Sequence, residues 1–500
     1  MNLKYLILFI QVHLLFNDVD SQCEKSCSVG HFIDLKSCIC VCEPNACPLK
    51  FNYGFDFIAR AKYLIENFIK TICFRILPST KCEHLFDVTP LTTVAPVTFA
   101  STAPLRGITL NRGLLNEWFG NETILANMSQ LVLTNRNIST IESGAFIGLS
   151  KLTKIDLYKN QLTSLPPTVF SHLTQLKFLR LDNNQLTTLP SLVFSGLTQL
   201  ENLILNDNRL QSLQESHFQD LTSLKELRLD YNQLSVLPVN IFLNLGRLVF
   251  LYLDYNQFVE LPVLVFKGPI QLEYLRVNYN QLSILPESIF SSLSKLQYLF
   301  LDHNRLTRLP EKVFNSTKEL RFLRVDFNQF FTLPESVFVG LKMLDSLYLS
   351  SNLFISLPVL IFTDLEQMRY CYMDSNQFST LPEAIFAPLK QLKSLYLNKN
   401  SFESFSGRIF SALTQLEVLD VSYNQLLSLS EATFSGLSRV KELRLGFNRL
   451  VYLPEKIFSN MNSQVFLDVF IGANPISANN QTYLFSLCQG VNSKCSILLT

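Results

Sequence analysis

Cysteines, histidines and carboxylates are the side chains of this chain able to bind a metal, exchange disulfides or move a proton. Of eleven cysteines, Cys23, Cys27, Cys38, Cys40, Cys42, Cys47, Cys73 and Cys82 crowd one stretch, Cys488 and Cys495 lie near the other end, and Cys371 stands alone. The alternating Cys38, Cys40 and Cys42 would suit a metal cluster, yet disulfides are the expected chemistry. The reason is the first 21 residues, which read as an export signal. Lys4 gives a basic start, residues 5–16 are a mostly apolar run, and Val19, Asp20 and Ser21 offer a cleavage site. Ten cysteines can pair, leaving one. Catalytic spacings are missing: there is no HExxH, no GxSxG and no phosphate-binding glycine loop. Neither enzymatic activity nor a cofactor is expected.

Whatever positions the remaining chemistry is repetitive. Asn recurs every 24 residues from Asn160 to Asn448, thirteen times, each in the frame LxxLxLxxNxL. A weaker copy precedes the series, with Arg136 at the Asn position, and a final spacing of 26 leads to Asn474, making about fifteen coils. The alternating leucines have the period of a strand with one buried face. An Asn carries donor and acceptor, so it can satisfy orphaned backbone groups of its own coil and the next. Ten residues past each Asn stands a Phe, from Phe170 to Phe458 with Phe146 ahead of them, expected to stack as a spine. Pro follows the Leu of LPxxxF in ten units and discourages regular sheet there.

The expected organisation is a signal peptide at 1–21, a disulfide module at 22–87, a Thr/Pro linker at 88–104 and an N-terminal cap at 105–130. The solenoid follows at 131–474, with a C-terminal cap at 475–500. With 42 Lys+Arg against 41 Asp+Glu, no basic field exists to neutralise phosphates, so nucleic acid is not an expected partner. The apolar run at the start is too short to span a bilayer and no later window is long enough, so no membrane insertion is expected.

The frame resembles the leucine-rich repeat, and LPxxxFxxL looks like the 24-residue typical kind found in extracellular proteins. The repeats are similar to those of Toll ectodomains, slit-type guidance proteins and the variable lymphocyte receptors of jawless fish, over roughly 70% of the chain. The resemblance implies an α/β-type repeat solenoid, a leucine-rich-repeat horseshoe with a concave parallel β-sheet, here joined to a small disulfide-rich N-terminal module. The caps depart from it. Such proteins place a cysteine cluster directly before the first repeat and a Trp followed by close cysteines after the last Asn-Pro, whereas this chain has a linker and Asn474-Pro475-Ile476. The cysteine-rich module resembles no family.

Residues two, four and six before each Asn are expected to point out of the concave sheet. The middle column reads Arg180, Ile204, Arg228, Tyr252, Arg276, Phe300, Arg324, Tyr348 and Tyr372; beside it run Phe178, Phe250, Tyr274, Tyr298 and Phe322. The rim adds Tyr231, Tyr255, Tyr279, His303 and Phe327. Solvent should make such positions polar, and Tyr, Phe and Arg are favoured in protein interfaces. An extracellular protein ligand in adhesion, matrix or signalling is therefore the expected partner. Recognition of microbial patterns, or a carrier role for a secreted enzyme, are the alternatives. The acidic row Asp182, Asp230, Asp254, Asp302 and Asp326 would suit calcium, but arginines on the same face favour charge pairing and no metal is expected. Glycosylation sequons occur at Asn121, Asn127, Asn137, Asn315 and Asn480, none of them in these columns.

Overall fold

The computed structural model describes residues 107–459, 461, 467–476, 483–484, 487 and 495–499. The export signal, the disulfide module with its eight cysteines and the linker lie outside the described residues, as do Asn480 and Cys488, and with Cys488 the bridge to Cys495 that is expected to close the C-terminal cap. The chain divides into units Met1–Ala100 and Ser101–Thr500, and the second is described here.

That unit starts with β1 (Ile108–Leu110), α1 (Arg112–Phe119), α2 (Glu122–Asn127), β2 (Gln130–Val132) and β3 (Ile138–Ile141). Asn111 and Asn121 cap the two helices, accepting from the Leu114 and Ile124 amides at 2.9 and 3.1 Å. The helices bury Leu115 and Leu125. Thirteen three-residue strands follow, from β4 (Lys154–Asp156) to β16 (Glu442–Arg444), then β17 (Leu467–Phe470) and β18 (Cys495–Leu498). Sixteen strands form one sheet running in chain order from β2 through β4 to β18, every pairing parallel, while β1 pairs with β3 apart. The strand β18 carries no copy of the repeat frame, so periodicity does not foretell it. Neighbours from β4 to β16 are offset by 24 residues: Leu299 sits beside Leu323 and Leu275. The expected solenoid, one short parallel strand per coil, is present. Among the described residues no helix is long and apolar enough to cross a membrane.

Each strand is short because the chain must turn inward after it, and the repeated Asn makes that turn possible. Asn280 donates to the carbonyls of Leu253, Val277 and Asn278, each at 3.1 Å, and accepts from the Phe258 amide at 3.1 Å. Two of those groups belong to the preceding coil, so the side chain stitches neighbours together. The sequence did not reveal the backbone condition behind this. The residue before every ladder Asn, from Lys159 to Ala473, has φ between 51° and 56°. An L-residue costs about 1–2 kcal/mol in this left-handed region, and Tyr, His and Phe hold it repeatedly. The amide bonds made one residue later offset the strain.

The phenylalanine spine is present as expected. Its rings lie 5.9–6.5 Å apart and within 19° of parallel, from Phe146 to Phe338 and again from Phe362 to Phe458. Parallel strands pack about 4.8 Å apart. Successive coils are therefore closer on the sheet side than on the spine side, and the sheet is the inside of the bend.

Two buried groups make separable predictions. Cys371 replaces a core leucine, is a free thiol, and burial pushes its pKa up to about 12. It should resist a thiol reagent in the native protein and react fully in denaturant; rapid native labelling would contradict its placement. His217 is also buried, where Val169 or Val193 stands in other coils. Its Nδ1 accepts from the Gln214 amide at 3.1 Å, which leaves Nε2–H to donate to the Leu189 carbonyl at 3.1 Å. Burial lowers its pKa. The unfolded chain then takes up the proton first, so stability should fall as pH drops below about 6.5. His217→Val should flatten that slope in denaturant titrations; an unchanged slope would assign it elsewhere.

Candidate functional site

Seven adjacent strands carry the predicted face: β7 (Glu226–Arg228), β8 (Phe250–Tyr252), β9 (Tyr274–Arg276), β10 (Tyr298–Phe300), β11 (Phe322–Arg324), β12 (Ser346–Tyr348) and β13 (Tyr370–Tyr372). In each the central Leu or Cys is buried, which turns the first and third residues outward. The register then converts alternation in sequence into contact in space. The Arg228 guanidinium lies 4.7 Å from the Tyr252 ring centre, Arg276 lies 5.7 Å from Phe300, and Arg324 lies 5.2 Å from Tyr348. Each contact is a cation–π pair. Tyr274 bridges Tyr252 and Phe300 at 5.4 and 5.2 Å, and Phe322 bridges Phe300 and Tyr348 at 5.1 and 5.0 Å. Tyr348 and Tyr372 stack at 4.3 Å. Every predicted site residue from Arg228 to Tyr372 thus joins one patch. Arg180 stands off, over Tyr158 at 4.0 Å, with the buried Ile204 between it and Arg228.

One expectation needs correcting. These side chains were read as projecting freely into solvent, but among the predicted residues with Phe250 only Phe250 and Tyr298, at 40% and 39%, are well exposed. The others are half-buried against one another. The rings brace one another and still present their edges.

The acidic row lies under this layer, 1–4% exposed at Asp182, Asp230, Asp254, Asp302 and Asp326. Arg180, Arg228 and Arg324 pair with the aspartate of their own coil at 2.7, 3.3 and 2.7 Å. Arg276 faces Asn278 in its coil and reaches back to Asp254 at 3.0 Å. Asp302 meets His303 at 2.9 Å and Arg324 at 3.8 Å. The arginines are thus engaged with carboxylates rather than free. Among the described residues no cluster of three His, Cys, Asp or Glu is arranged to hold a metal.

Burial raises the Asp254 pKa to about 6, against the opposing pull of Arg276. Its Oδ1 has no hydrogen-bond partner in the protein. A raised carboxyl pKa means that the fold favours the protonated form. The stability tied to Asp254 should be complete below about pH 4 and lost as pH rises through about 6, on the order of 2–3 kcal/mol. Asp254→Asn, which mimics Asn206 and Asn278 in the same column, should remove this slope, opposite in sign to that of His217. Equal pH profiles for wild type and variant would refute it.

At the rim Tyr231, Tyr255, Tyr279, His303 and Phe327 stack face to face, 4.0–4.2 Å apart and 9–17° from parallel. The left-handed turn aims all five alike. An open groove of about 900 Å³ runs beside them, lined also by Gln185, Arg209, Gln257 and the ladder asparagines. Along the other edge, seven residues before most of the ladder asparagines, stands a charged residue, and opposite charges meet on neighbouring coils. Lys225 pairs with Glu201 at 2.6 Å, Arg369 with Asp345, and Lys441 with Glu417 at 2.5 Å. Reading that column down the repeats would have found it. Of the described sequons, Asn121, Asn127 and Asn315 are exposed and Asn137 is half-buried, and none of the four lies on a strand of the aromatic patch.

A family model described as leucine rich repeat matches residues 126–186, 187–258, 270–330, 318–378, 368–426, 390–450 and 414–470, more than half of the chain. No curated protein matches it. Among solved structures, a leucine-rich-repeat protein of Leptospira interrogans is 28% identical at a TM-score of 0.62, with 79% of this chain and 96% of that one covered. The TLR13–ssRNA13 complex is 26% identical at a TM-score of 0.59, covering 78% of this chain and 52% of that one. A chain of the Drosophila Toll–Spatzle complex has the same fold at 21% identity and a TM-score of 0.57, with 73% and 60% covered.

Proposed function

The chain belongs to the leucine-rich-repeat family, and from that premise we propose that it is a secreted, non-catalytic binding protein that holds an extracellular protein ligand on its concave face. The centre of that face is Arg228, Tyr252, Tyr274, Arg276, Tyr298, Phe300 and Arg324. The observation that carries the reading is the unbroken layer of aromatic and arginine side chains across seven strands, in contact through the register itself. Side chains on rigid strands lose little entropy on binding, and aromatic edges desolvate readily against a partner. Secretion rests on the pattern of residues 1–21 and on the cysteine-rich stretch after it. The lack of catalysis rests on carboxylates held in ion pairs and on a concave histidine sandwiched between two rings.

Single-stranded RNA, the partner in the TLR13–ssRNA13 complex, is the second reading. Charge disfavours it here: the net is +1 and each arginine of the patch already has a carboxylate. Recognition of microbial proteins would use the same face and differs only in the identity of the partner.

The test compares the wild type with a variant carrying Tyr252→Ala, Tyr298→Ala and Phe300→Ala, both immobilised in extracellular fluid of the source organism. A protein captured by the wild type and lost by an equally folded variant supports the proposal, at about 1–3 kcal/mol of binding per side chain. Equal capture removes the concave face from consideration, and capture abolished by nuclease favours RNA. Arg276 is left intact because its loss strands the buried Asp254.

A further inference from the structure

We propose that Tyr231, Tyr255 and Tyr279 form an oxidative cross-linking site, at which a haem peroxidase with hydrogen peroxide joins neighbouring phenol rings of one chain through their ortho carbons. The inference needs only the rim geometry and is independent of any ligand on the concave face.

Ring spacing comes first. Tyr231 and Tyr255 stack at 4.1 Å and 10°, and Tyr255 and Tyr279 at 4.1 Å and 9°. Two ortho carbons therefore start within about 4 Å of one another, held there by φ values of 51–52° and by the strand register. Access comes second. Tyr231 and Tyr279 are 38% and 36% exposed at the rim of an open groove, so a small oxidant or a peroxidase reaches their edges. Proximity of the phenol groups comes third: burial first, and then the neighbouring Tyr231 and Tyr279 hydroxyls, push the Tyr255 phenol above its ordinary pKa.

The chemistry balances. Each of two phenols gives one electron to the peroxide-oxidised haem and one proton to solvent, leaving two phenoxyl radicals with spin on their ortho carbons. Those carbons form one bond, and the two ring hydrogens they bore move to the phenol oxygens as the rings regain aromaticity. The sum is two phenols and one hydrogen peroxide giving one biphenol and two waters. The product pins two successive coils at the rim.

Other tyrosines make the site selective. Tyr423 stacks at 4.1 Å on Phe447, which cannot become a phenoxyl radical. Tyr274 and Tyr298 are 5.7 Å apart and tilted by 39°. Tyr348, Tyr372 and Tyr396 stack at 4.3 and 4.8 Å but all three are half-buried, whereas the half-buried Tyr255 is flanked on both sides by an exposed ring. Tyr452 is the most exposed tyrosine among the described residues, at 56%.

The experiment treats the purified full chain with a haem peroxidase and limiting hydrogen peroxide, isolates the monomer, and reads dityrosine fluorescence and mass. Arg247, Lys267 and Arg276 place Tyr231, Tyr255 and Tyr279 in separate tryptic peptides. Expected is a monomer lighter by two hydrogens, with the peptide of Tyr255 joined to that of Tyr231 or Tyr279. Tyr255→Phe should take the signal to background while keeping the fold, because Phe327 and Phe447 occupy the same position in other coils. Tyr452→Phe should leave it unchanged. Undiminished cross-linking in Tyr255→Phe, its loss in Tyr452→Phe, dityrosine only between molecules, or peptides joined at Tyr348 and Tyr372 would each overturn the proposal.

Discussion

Asn280→Leu is expected to lower stability by about 3–5 kcal/mol, because the leucine fits the space and supplies none of the bonds. The Phe258 amide would remain buried without a partner, and the carbonyls of Leu253 and Val277 would each lose one of two donors, keeping only Asn256 and Asn304. An unsatisfied buried group costs about 1–3 kcal/mol, more than a neutral hydrogen bond contributes when formed. The strained φ of Tyr279 would also lose what offsets it. Aspartate is no remedy, since it keeps one acceptor, removes both donors and buries a charge. In a stacked solenoid the damage begins locally. Hydrogen exchange should quicken first at the Phe258 amide and in the coils on either side, and a urea midpoint should fall with it. An unchanged midpoint would show that the ladder is incidental to stability.

Phe290→Ala should be about as severe, at about 3–5 kcal/mol. The ring is fully buried between Phe266 at 6.3 Å and Phe314 at 6.2 Å. Its removal loses transfer energy and leaves a cavity that neighbours on fixed coils cannot close. Phe290→Leu, which refills most of the volume, should lose far less. The spine also sets the wider spacing on the outside of the bend, so the alanine variant should change solution scattering as well as stability. A loss below about 1 kcal/mol would mean that the coils collapse around the gap.

The predictions mark how far the residues alone could be read. The ladder asparagines and spine phenylalanines were legible because each position demands one chemistry and recurs every 24 residues. The concave columns were legible for the same reason: an alternation of period two fixes which residues share a face. Exposure was not. Tyr252 and Phe300 read as open to solvent, and they are half-buried because Arg228, Tyr274 and Arg276 lie against them. Nor was the pairing of Arg276 legible: its carboxylate partner comes from the preceding coil, because its own coil offers Asn278 where those of Arg180, Arg228 and Arg324 offer an aspartate.

Periodicity determined the coil, its buried face and the residues that meet at each level of the stack, since those follow from spacing within one short repeat. Tertiary structure alone decided the left-handed turn at the rim, the ring spacing there, the burial of the acidic row and the strand β18 supplied by a segment without the repeat. Each of these depends on distances between residues 24 or more apart, set by how closely coils pack on their two sides. A one-dimensional pattern records which residue types recur, not how near their side chains come.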